Sequence, residues 1–226
     1  GMIGNVSLPV LSEVSSNLER QRQVFRKMLR FVSFISFPAM LGLAFVSKEL
    51  IVISVSDKWL PCVPVMQLMC VWGAVMPISN LYTHVLLSHG KSNIFLYNTV
   101  ILGILQLAVV TCMLSWGIYY MVLSFVVINV VWLFVWHYFV AEQIDIRFID
   151  VFKDIIPFLL LSIASLSITY FVVSFVNNIY MSFVLKVLVT GILYTLLLYM
   201  FGSVIFRETL SFLWERYDVR KEKREE

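Results

Sequence analysis

Fifty consecutive residues of the chain, 92–141, contain no Asp, Glu, Lys or Arg. An α-helix rises about 1.5 Å per residue and the hydrocarbon core of a bilayer is about 30 Å thick, so one crossing takes about 20 residues. This stretch is therefore expected to cross a membrane twice, with the turn at Ser115-Trp116-Gly117. Residues 59–90 are also uncharged, and residues 155–206 carry only Lys186. The pattern predicts a chain that resides in a membrane.

The composition excludes the main soluble classes. Hydrophobic residues make up 60% of the chain and charged residues 14%, whereas soluble domains carry about 25% charged residues. A soluble enzyme, a nucleic-acid-binding module and a disulfide scaffold are therefore not expected. The apolar runs are too continuous for the alternation of a β-barrel. With a turn at Asn177-Asn178, we predict an all-α polytopic membrane protein with six transmembrane helices, at residues 31–54, 62–88, 93–115, 118–140, 155–176 and 180–205.

The basic residues predict the orientation, because they accumulate on the cytoplasmic side of a membrane protein. One side receives fourteen of them, namely Arg20, Arg22, Arg26, Lys27, Arg30, Lys91, Arg147, Lys153, Arg207, Arg216, Arg220, Lys221, Lys223 and Arg224. The other side receives Lys48, Lys58 and Lys186. Both termini of the segment are thus expected to face the cytoplasm. The predicted parts are a truncated helix end and basic connector (1–30), four spans (31–141), a cytoplasmic loop (142–154), two further spans (155–206) and a charged cytoplasmic tail (207–226).

The residues needed for catalysis or metal binding are not grouped in the sequence. Cys62, Cys70 and Cys112 form no Cys-x-x-Cys pair, and the three histidines are scattered. Glycine-rich phosphate loops and carboxylates within the uncharged stretches are missing as well. We therefore expect no cofactor, no metal and no catalytic residue, and the chain is not expected to be an enzyme.

Polar side chains inside the spans are the candidates for a substrate path, because such groups are costly in lipid and usually face protein or water. Small and polar residues step by three or four along the second span: Gln67, Cys70, Gly73, Pro77, Asn80, His84 and Ser88. This face can line an aqueous cavity and bind sugar hydroxyls, or it can pack against another helix through amide hydrogen bonds. The candidates for a substrate path are Gln67, Asn80, His84, Gln106 and Asn129.

Basic residues near the membrane surface are the candidates for binding lipid phosphate. Residues 12–30 place apolar side chains at helical spacing with basic ones on the other face, so Arg20, Arg22, Arg26, Lys27 and Arg30 can lie among headgroups. The alternative is an ordinary cytoplasmic connector. Lys186 can extend to the surface or meet a lipid phosphate in the outer leaflet. Apart from Lys186 and hydroxyl groups, the fifth and sixth spans are almost purely apolar and are predicted to face lipid.

Several short motifs occur in a distinctive order. A Pro-Val-Leu-Ser run (residues 9–12) leads through the basic connector to Phe37-Pro38, then to Ser-Asp-Lys-Trp (residues 56–59) and Ser-His-Gly-Lys-Ser-Asn (residues 88–93). This order resembles the C-terminal lobe of polysaccharide flippases, in the superfamily that also contains the MATE-type drug exporters. Ser56 stands where members commonly have Gly, and His89 precedes Gly90 where members commonly have another residue.

The resemblance implies a fold and a function. The chain would contribute four helices of a MATE-like C-lobe plus two extra helices, and the N-terminal lobe would be supplied by the same chain or by a partner chain. The implied activity is flipping of polyprenyl-pyrophosphate-linked oligosaccharide repeat units across the cytoplasmic membrane by alternating access, for lipopolysaccharide, capsule or exopolysaccharide. The last two helices would offer a groove for the polyprenyl tail. The isolated segment is expected not to flip substrate, because half of the cavity wall would be missing.

Three alternatives stay open at this point. They are a drug/cation antiporter of the same superfamily, a membrane glycan polymerase or ligase, and an inactive truncated remnant. The partners expected in the flippase interpretation are the lipid bilayer, the polyprenyl-linked oligosaccharide and the missing lobe, and no nucleic acid.

Overall fold

The computed structural model describes residues 2–14, 17–174, 176 and 178–200. The end of the predicted sixth span and the charged tail (207–226) lie outside the described residues. The helices are α1 (Met2–Glu13), α2 (Leu18–Phe45), α3 (Ser47–Ser54), α4 (Val63–Ser88), α5 (Ser92–Cys112), α6 (Ile118–Ile144), α7 (Phe148–Val173) and α8 (Ile179–Met200), with short 3-10 turns at Asp57–Cys62 and Leu114–Trp116. The described part of the chain contains no strand.

Six of these helices are long and apolar enough to cross a membrane: α2, α4 with its preceding turn, α5, α6, α7 and α8. The predicted all-α polytopic membrane protein with six spans is therefore confirmed.

Two boundaries differ from the sequence prediction. The basic connector is not separate from the first span, because α2 begins at Leu18 and runs for 28 residues. The segment expected as a loop (142–154) is mostly helical, and only residues 145–147 connect α6 to α7. A helix of 28 residues is about 42 Å long, which exceeds the hydrocarbon thickness. Charged residues therefore mark where the hydrocarbon ends, and the helices continue beyond that level.

Helix α2 lies at the centre of the bundle and packs against α4 and α7. The buried core runs along these helices and onto α6, and includes Phe25, Leu29, Val32, Phe37, Ala74, Ile78, Leu81, Val85, Val140, Ile144 and Phe158. Helix α5 contacts α6 and α4 and leaves most of its apolar residues exposed. In a bilayer, such an exposed apolar face is covered by lipid or by further helices.

The α2–α4 contact is close because one residue there has no side chain. A Cβ atom added to Gly73 would lie 3.0 Å from Sδ of Met40. On the same seam, Ser36 Oγ donates a hydrogen bond of 2.9 Å to the carbonyl oxygen of Ala74. Small residues that let helices approach are typical of membrane helix packing.

Replacing Gly73 by Ile is therefore expected to lower the free energy of unfolding by about 1–3 kcal/mol, since the branched side chain must displace Met40 and separate the helices. Gly103→Ile is the matched control, because no atom lies within 4 Å of a Cβ added at Gly103. Unfolding in detergent, followed by circular dichroism, measures both variants. Equal loss of stability in the two would contradict a close contact at Gly73.

The turn between α4 and α5 carries the Ser-His-Gly-Lys-Ser-Asn motif, and its geometry explains two of these residues. Gly90 has φ +68°, a left-handed conformation that favours glycine at a helix end. Nε2 of His89 lies 2.8 Å from Oε1 of Gln21, which is fully buried on α2. Gln21 Nε2 in turn donates to Ser88 Oγ at 3.0 Å and to the Leu11 carbonyl at 3.2 Å. Burial and nearby Lys91 lower the pKa of His89, so the imidazole is neutral at neutral pH and joins the helices without adding charge.

Candidate functional site

An apolar groove of about 340 Å³ lies between α2, α4, α6 and α7 and is partly open to the surroundings. Its walls are Phe37, Leu41, Val71, Ala74, Val75, Ile78, Tyr82, Val130, Leu133, Phe134, Phe148, Val151, Phe152, Ile155, Ile156 and Leu159. The volume lies within the range of ligand pockets, about 300–1,000 Å³. Because the walls are almost entirely hydrocarbon, the groove suits a hydrocarbon chain and offers little to a sugar.

The groove has one polar contact in its wall. The hydroxyl of Tyr82 lies 3.3 Å from Nδ1 of His137, within hydrogen-bond distance. The His137 ring also lies edge-on to Phe148, with centroids 5.0 Å apart. Tyr82 and His137 are both buried, and each supplies a hydrogen-bond partner to the other beside the groove.

A cluster of arginines and carboxylates lies where α7 begins. Arg26 binds Asp154 through two parallel contacts, Nε–Oδ2 at 2.6 Å and Nη2–Oδ1 at 3.1 Å. Arg30 Nε lies 3.5 Å from the same carboxylate. Arg22 binds Asp145 at 2.9 Å and donates to the Ile144 carbonyl at 3.0 Å. We call these five side chains the arginine brace; it fastens α2 to the end of α6 and the start of α7.

The groove and the arginine brace meet on the first turns of α7. Phe148, Val151 and Ile155 face the groove, whereas Asp154 faces the arginines of α2. Three guanidinium groups share two carboxylates in the arginine brace. The groove and the arginine brace therefore lie on neighbouring faces of the same helix end.

The predicted substrate-path residues are not brought together. Gln67 and His84 are separated by 17 positions on α4, which is about 26 Å along the axis. Gln67 is exposed and donates to the Ala44 carbonyl of α2 at 3.3 Å, and Asn80 is exposed. Together with Gly73, Gln67 lies on the seam with α2, so part of the predicted stripe serves helix packing.

The other candidates are also separate from the groove. Asn129 is buried and donates to the Phe125 carbonyl of its own helix at 2.8 Å. Gln106 is half-buried on α5. Nδ1 of His84 is buried and has no hydrogen-bond partner among the described residues. A sugar path formed by these five residues stays a prediction.

The predicted lipid-phosphate residues divide into two groups. Arg20 and Lys27 have exposed side chains, whereas Arg22, Arg26 and Arg30 face the bundle and bind carboxylates. Lys186 is also placed differently from the expectation. Its Nζ lies 2.7 Å from Oε1 of Glu49, so the ammonium group pairs with α3 inside the bundle instead of extending to the surface.

The resemblance implied a groove for the polyprenyl tail on the last two spans, but the groove described above is lined by α7 and not by α8. Its walls on α2, α4 and α6 and the role of Asp154 were not predicted. Groove residues come from four helices and differ in no way from other apolar residues, so no local signal identifies them. Asp154 could have been identified from the sequence as a partner for the arginines. It is a carboxylate at the start of an apolar span, on the side of the membrane predicted for the arginines. The three cysteines are free, and no group of three His, Cys, Asp or Glu in the described part of the chain is placed to hold a metal.

Residues 1–64 match a protein family described as "Polysaccharide biosynthesis protein". The chain is 37% identical over 90 residues to an uncharacterized membrane protein in the cps region of Klebsiella pneumoniae, covering 40% of this chain and 19% of that protein. It is 32% identical over 93 residues to the lipopolysaccharide biosynthesis protein WzxC of Escherichia coli, covering 41% and 19%. It is 23% identical over 161 residues to the teichuronic acid biosynthesis protein TuaB of Bacillus subtilis, covering 70% and 33%.

No solved structure shows a significant match to the chain. The matched segments amount to 19–33% of the length of these relatives. The family match and the named relatives bear out the resemblance that the motifs indicated: over part of its length, this multi-pass membrane protein is similar to proteins of polysaccharide biosynthesis.

Proposed function

We propose that the protein containing this chain moves polyprenyl-pyrophosphate-linked oligosaccharide repeat units across the cytoplasmic membrane by alternating access, in the assembly of a surface polysaccharide. The observation that carries this proposal is the apolar groove, whose wall on α7 is adjacent to the arginine brace. A polyprenyl tail is pure hydrocarbon, and the groove offers it walls of aliphatic and aromatic side chains.

The head group explains why a protein is needed. Hydroxyls and phosphates cannot cross about 30 Å of hydrocarbon unaided, because each polar group without a partner costs several kcal/mol. A polar path supplied in part by the remaining helices of the protein removes that cost. The step requires no covalent chemistry, so we assign the chain to transport and not to an enzyme.

The orientation belongs to the same proposal. The arginine brace joins the start of α2 to the end of α6 and the start of α7, so these helix ends lie at one end of the bundle. Because basic residues favour the cytoplasmic side, we assign this end to the cytoplasm. The polyprenyl tail would then enter the groove while its head group is still on the cytoplasmic side.

The ion pairs weigh against a drug/cation antiporter. Glu49 and Asp154 are the buried carboxylates of the described residues. Glu49 is paired with Lys186, and Asp154 with Arg26 and Arg30. A carboxylate that exchanges cations must be free of such partners for part of its cycle. The described helices therefore favour the lipid-linked substrate.

Photo-crosslinking tests the proposal. The chain is reconstituted in nanodiscs with p-benzoylphenylalanine in place of Phe152, which lines the groove and is 42% exposed. The control carries the same group in place of Phe171, which lies on the same helix outside the groove and is 71% exposed. Radiolabelled undecaprenyl phosphate is the probe.

We expect labelling through position 152 to saturate and to be displaced by undecaprenyl pyrophosphate, but not by an equal amount of diacyl phospholipid or of tetraphenylphosphonium. Labelling through position 171 should increase in proportion to the probe. Displacement by tetraphenylphosphonium alone would favour the antiporter. Equal, unsaturable labelling at the two positions would refute polyprenyl binding and leave an inactive remnant as the better interpretation.

A further inference from the structure

Four polar residues of α8 lie in one stripe. Ser182, Lys186, Thr190 and Tyr194 follow each other at intervals of four, so they share one face of the helix. Ser182, Thr190 and Tyr194 are buried, and the Lys186 side chain is only 15% exposed. The other faces of α8 carry mainly Leu, Val, Ile and Met. The polar stripe of α8, as we call these four residues, therefore faces the bundle and not lipid.

Three members of the polar stripe bind three different helices. Lys186 Nζ binds Glu49 Oε1 of α3 at 2.7 Å. Thr190 Oγ1 donates to Thr169 Oγ1 of α7 at 3.1 Å. The Tyr194 hydroxyl donates to a main-chain carbonyl oxygen of α2, that of Phe34, at 2.9 Å. This stripe of α8 is thus held at three levels along the length of the helix.

The ion pair is the strongest of these contacts. Glu49 is 7% exposed, and the Lys186 ammonium group also lies 4.6 Å from the centroid of the Phe45 ring. Oε2 of Glu49 is buried and has no hydrogen-bond partner among the described residues. The carboxylate therefore holds one donor and has capacity for a second.

In lipid, apolar packing alone fixes the position of α8 only weakly. Lipid tails are as apolar as Leu, so burying an apolar face against a neighbouring helix brings little gain. An almost uniformly apolar helix can then rotate or slide at small cost unless polar contacts prevent it. A buried ionic contact can specify a single register, as single buried polar residues do in coiled coils.

We propose that the polar stripe sets the rotation and depth of α8, and that Lys186 is its main positioning residue. Lys186 lies seven residues after the first residue of α8, which is about 10 Å along the axis. Without Glu49, the ammonium group gains most by approaching the aqueous end where α8 begins. The helix then slides by about one turn, and Tyr194 replaces Thr190 beside Thr169.

Disulfide crosslinking in membranes measures this register. Exposed Cys62 and Cys112 are first replaced by Ser. One reporter is Thr169→Cys with Thr190→Cys, whose hydroxyl groups are in contact. A second reporter is Thr169→Cys with Tyr194→Cys. Each is combined with unchanged Lys186, Lys186→Arg, Glu49→Gln, Lys186→Met, and the double replacement Glu49→Gln with Lys186→Met.

With Lys186 or Arg at position 186, we expect the 169–190 disulfide to form at least tenfold faster than the 169–194 disulfide. The preference for the 169–190 disulfide should be at least as large in Lys186→Arg as with Lys186, because the two parallel donors of Arg can reach both oxygens of Glu49. Glu49→Gln should reverse the preference. Lys186→Met and the double replacement should form both disulfides at rates within threefold of each other, because the ion pair that mainly selects one register is then missing.

The double replacement leaves no unpaired charge in the bundle. It therefore tests the proposal even if the Glu49→Gln protein fails to accumulate. Unchanged selectivity in the double replacement would overturn the proposal, because apolar packing would then be sufficient to fix α8. Unchanged selectivity in Glu49→Gln and Lys186→Met would overturn it as well.

Discussion

Asp154→Asn is expected to lower the free energy of unfolding by about 2–3 kcal/mol, more than any other single polar replacement in the described helices. Asp154 is 6% exposed and joins two arginines of α2. Removing one partner of a buried pair leaves the remaining charge without compensation, which costs about 3–5 kcal/mol for fully buried pairs. The Arg26 side chain is 34% exposed, so water recovers part of that loss.

Asp145→Asn is the matched control. Asp145 also binds an arginine, but its side chain is 89% exposed, so the pair contributes about 0.5 kcal/mol or less. Asp145 has a left-handed backbone conformation with φ +49°, which Asn adopts readily. Unfolding of both variants in mixed detergent micelles gives the comparison. Similar losses in the two variants would mean that the arginine brace is a surface feature and does not hold α7 in place.

Val130→Trp is expected to reduce saturable polyprenyl labelling through position 152 at least tenfold. Val130 lines the groove, and an indole at this position occupies the space that a hydrocarbon chain would fill. Val131→Trp makes the same change one residue along α6, where the side chain is 54% exposed and outside the groove. Labelling of this control should match that of the unchanged chain within twofold.

Thermal unfolding of both Trp variants is measured in parallel, so that loss of binding is distinguished from loss of fold. A stable Val130→Trp protein that keeps full labelling would exclude the groove as the binding place. Loss of labelling in Val131→Trp as well would indicate a general effect of Trp on the bilayer contact and would equally contradict the assignment.

The number and order of the spans could be predicted because charged residues are too costly inside hydrocarbon to occur there by chance. The same reasoning began the first and fifth spans at residues 31 and 155, whereas the helices begin at Leu18 and Phe148, since a helix does not end where its charges begin. Arg26 and Asp154 lie on such helical extensions and pair with each other. That pairing joins residues 128 positions apart, so no local pattern reveals it.

Lys186 shows the limit of sequence reasoning about polar groups in spans. The ammonium group of a lone lysine in an apolar helix can either extend to the membrane surface or pair with a partner inside the bundle. The partner, Glu49, lies 137 positions away. The spacing of Lys186, Thr190 and Tyr194 by four is visible in the sequence, and it could have indicated a buried face on a helix that was predicted to face lipid.

The sidedness of lipid-linked repeat units in cells tests the central claim most directly. In the native host, the protein that contains this chain is replaced by its Val130→Trp or Val131→Trp form, and lipid-linked oligosaccharide is measured separately in the two leaflets of the cytoplasmic membrane. We predict that Val130→Trp, like deletion of the gene, accumulates repeat units in the cytoplasmic leaflet and lowers surface polysaccharide at least tenfold, whereas Val131→Trp does neither. Repeat units that still reach the outer leaflet at the normal rate after deletion would contradict a flippase function.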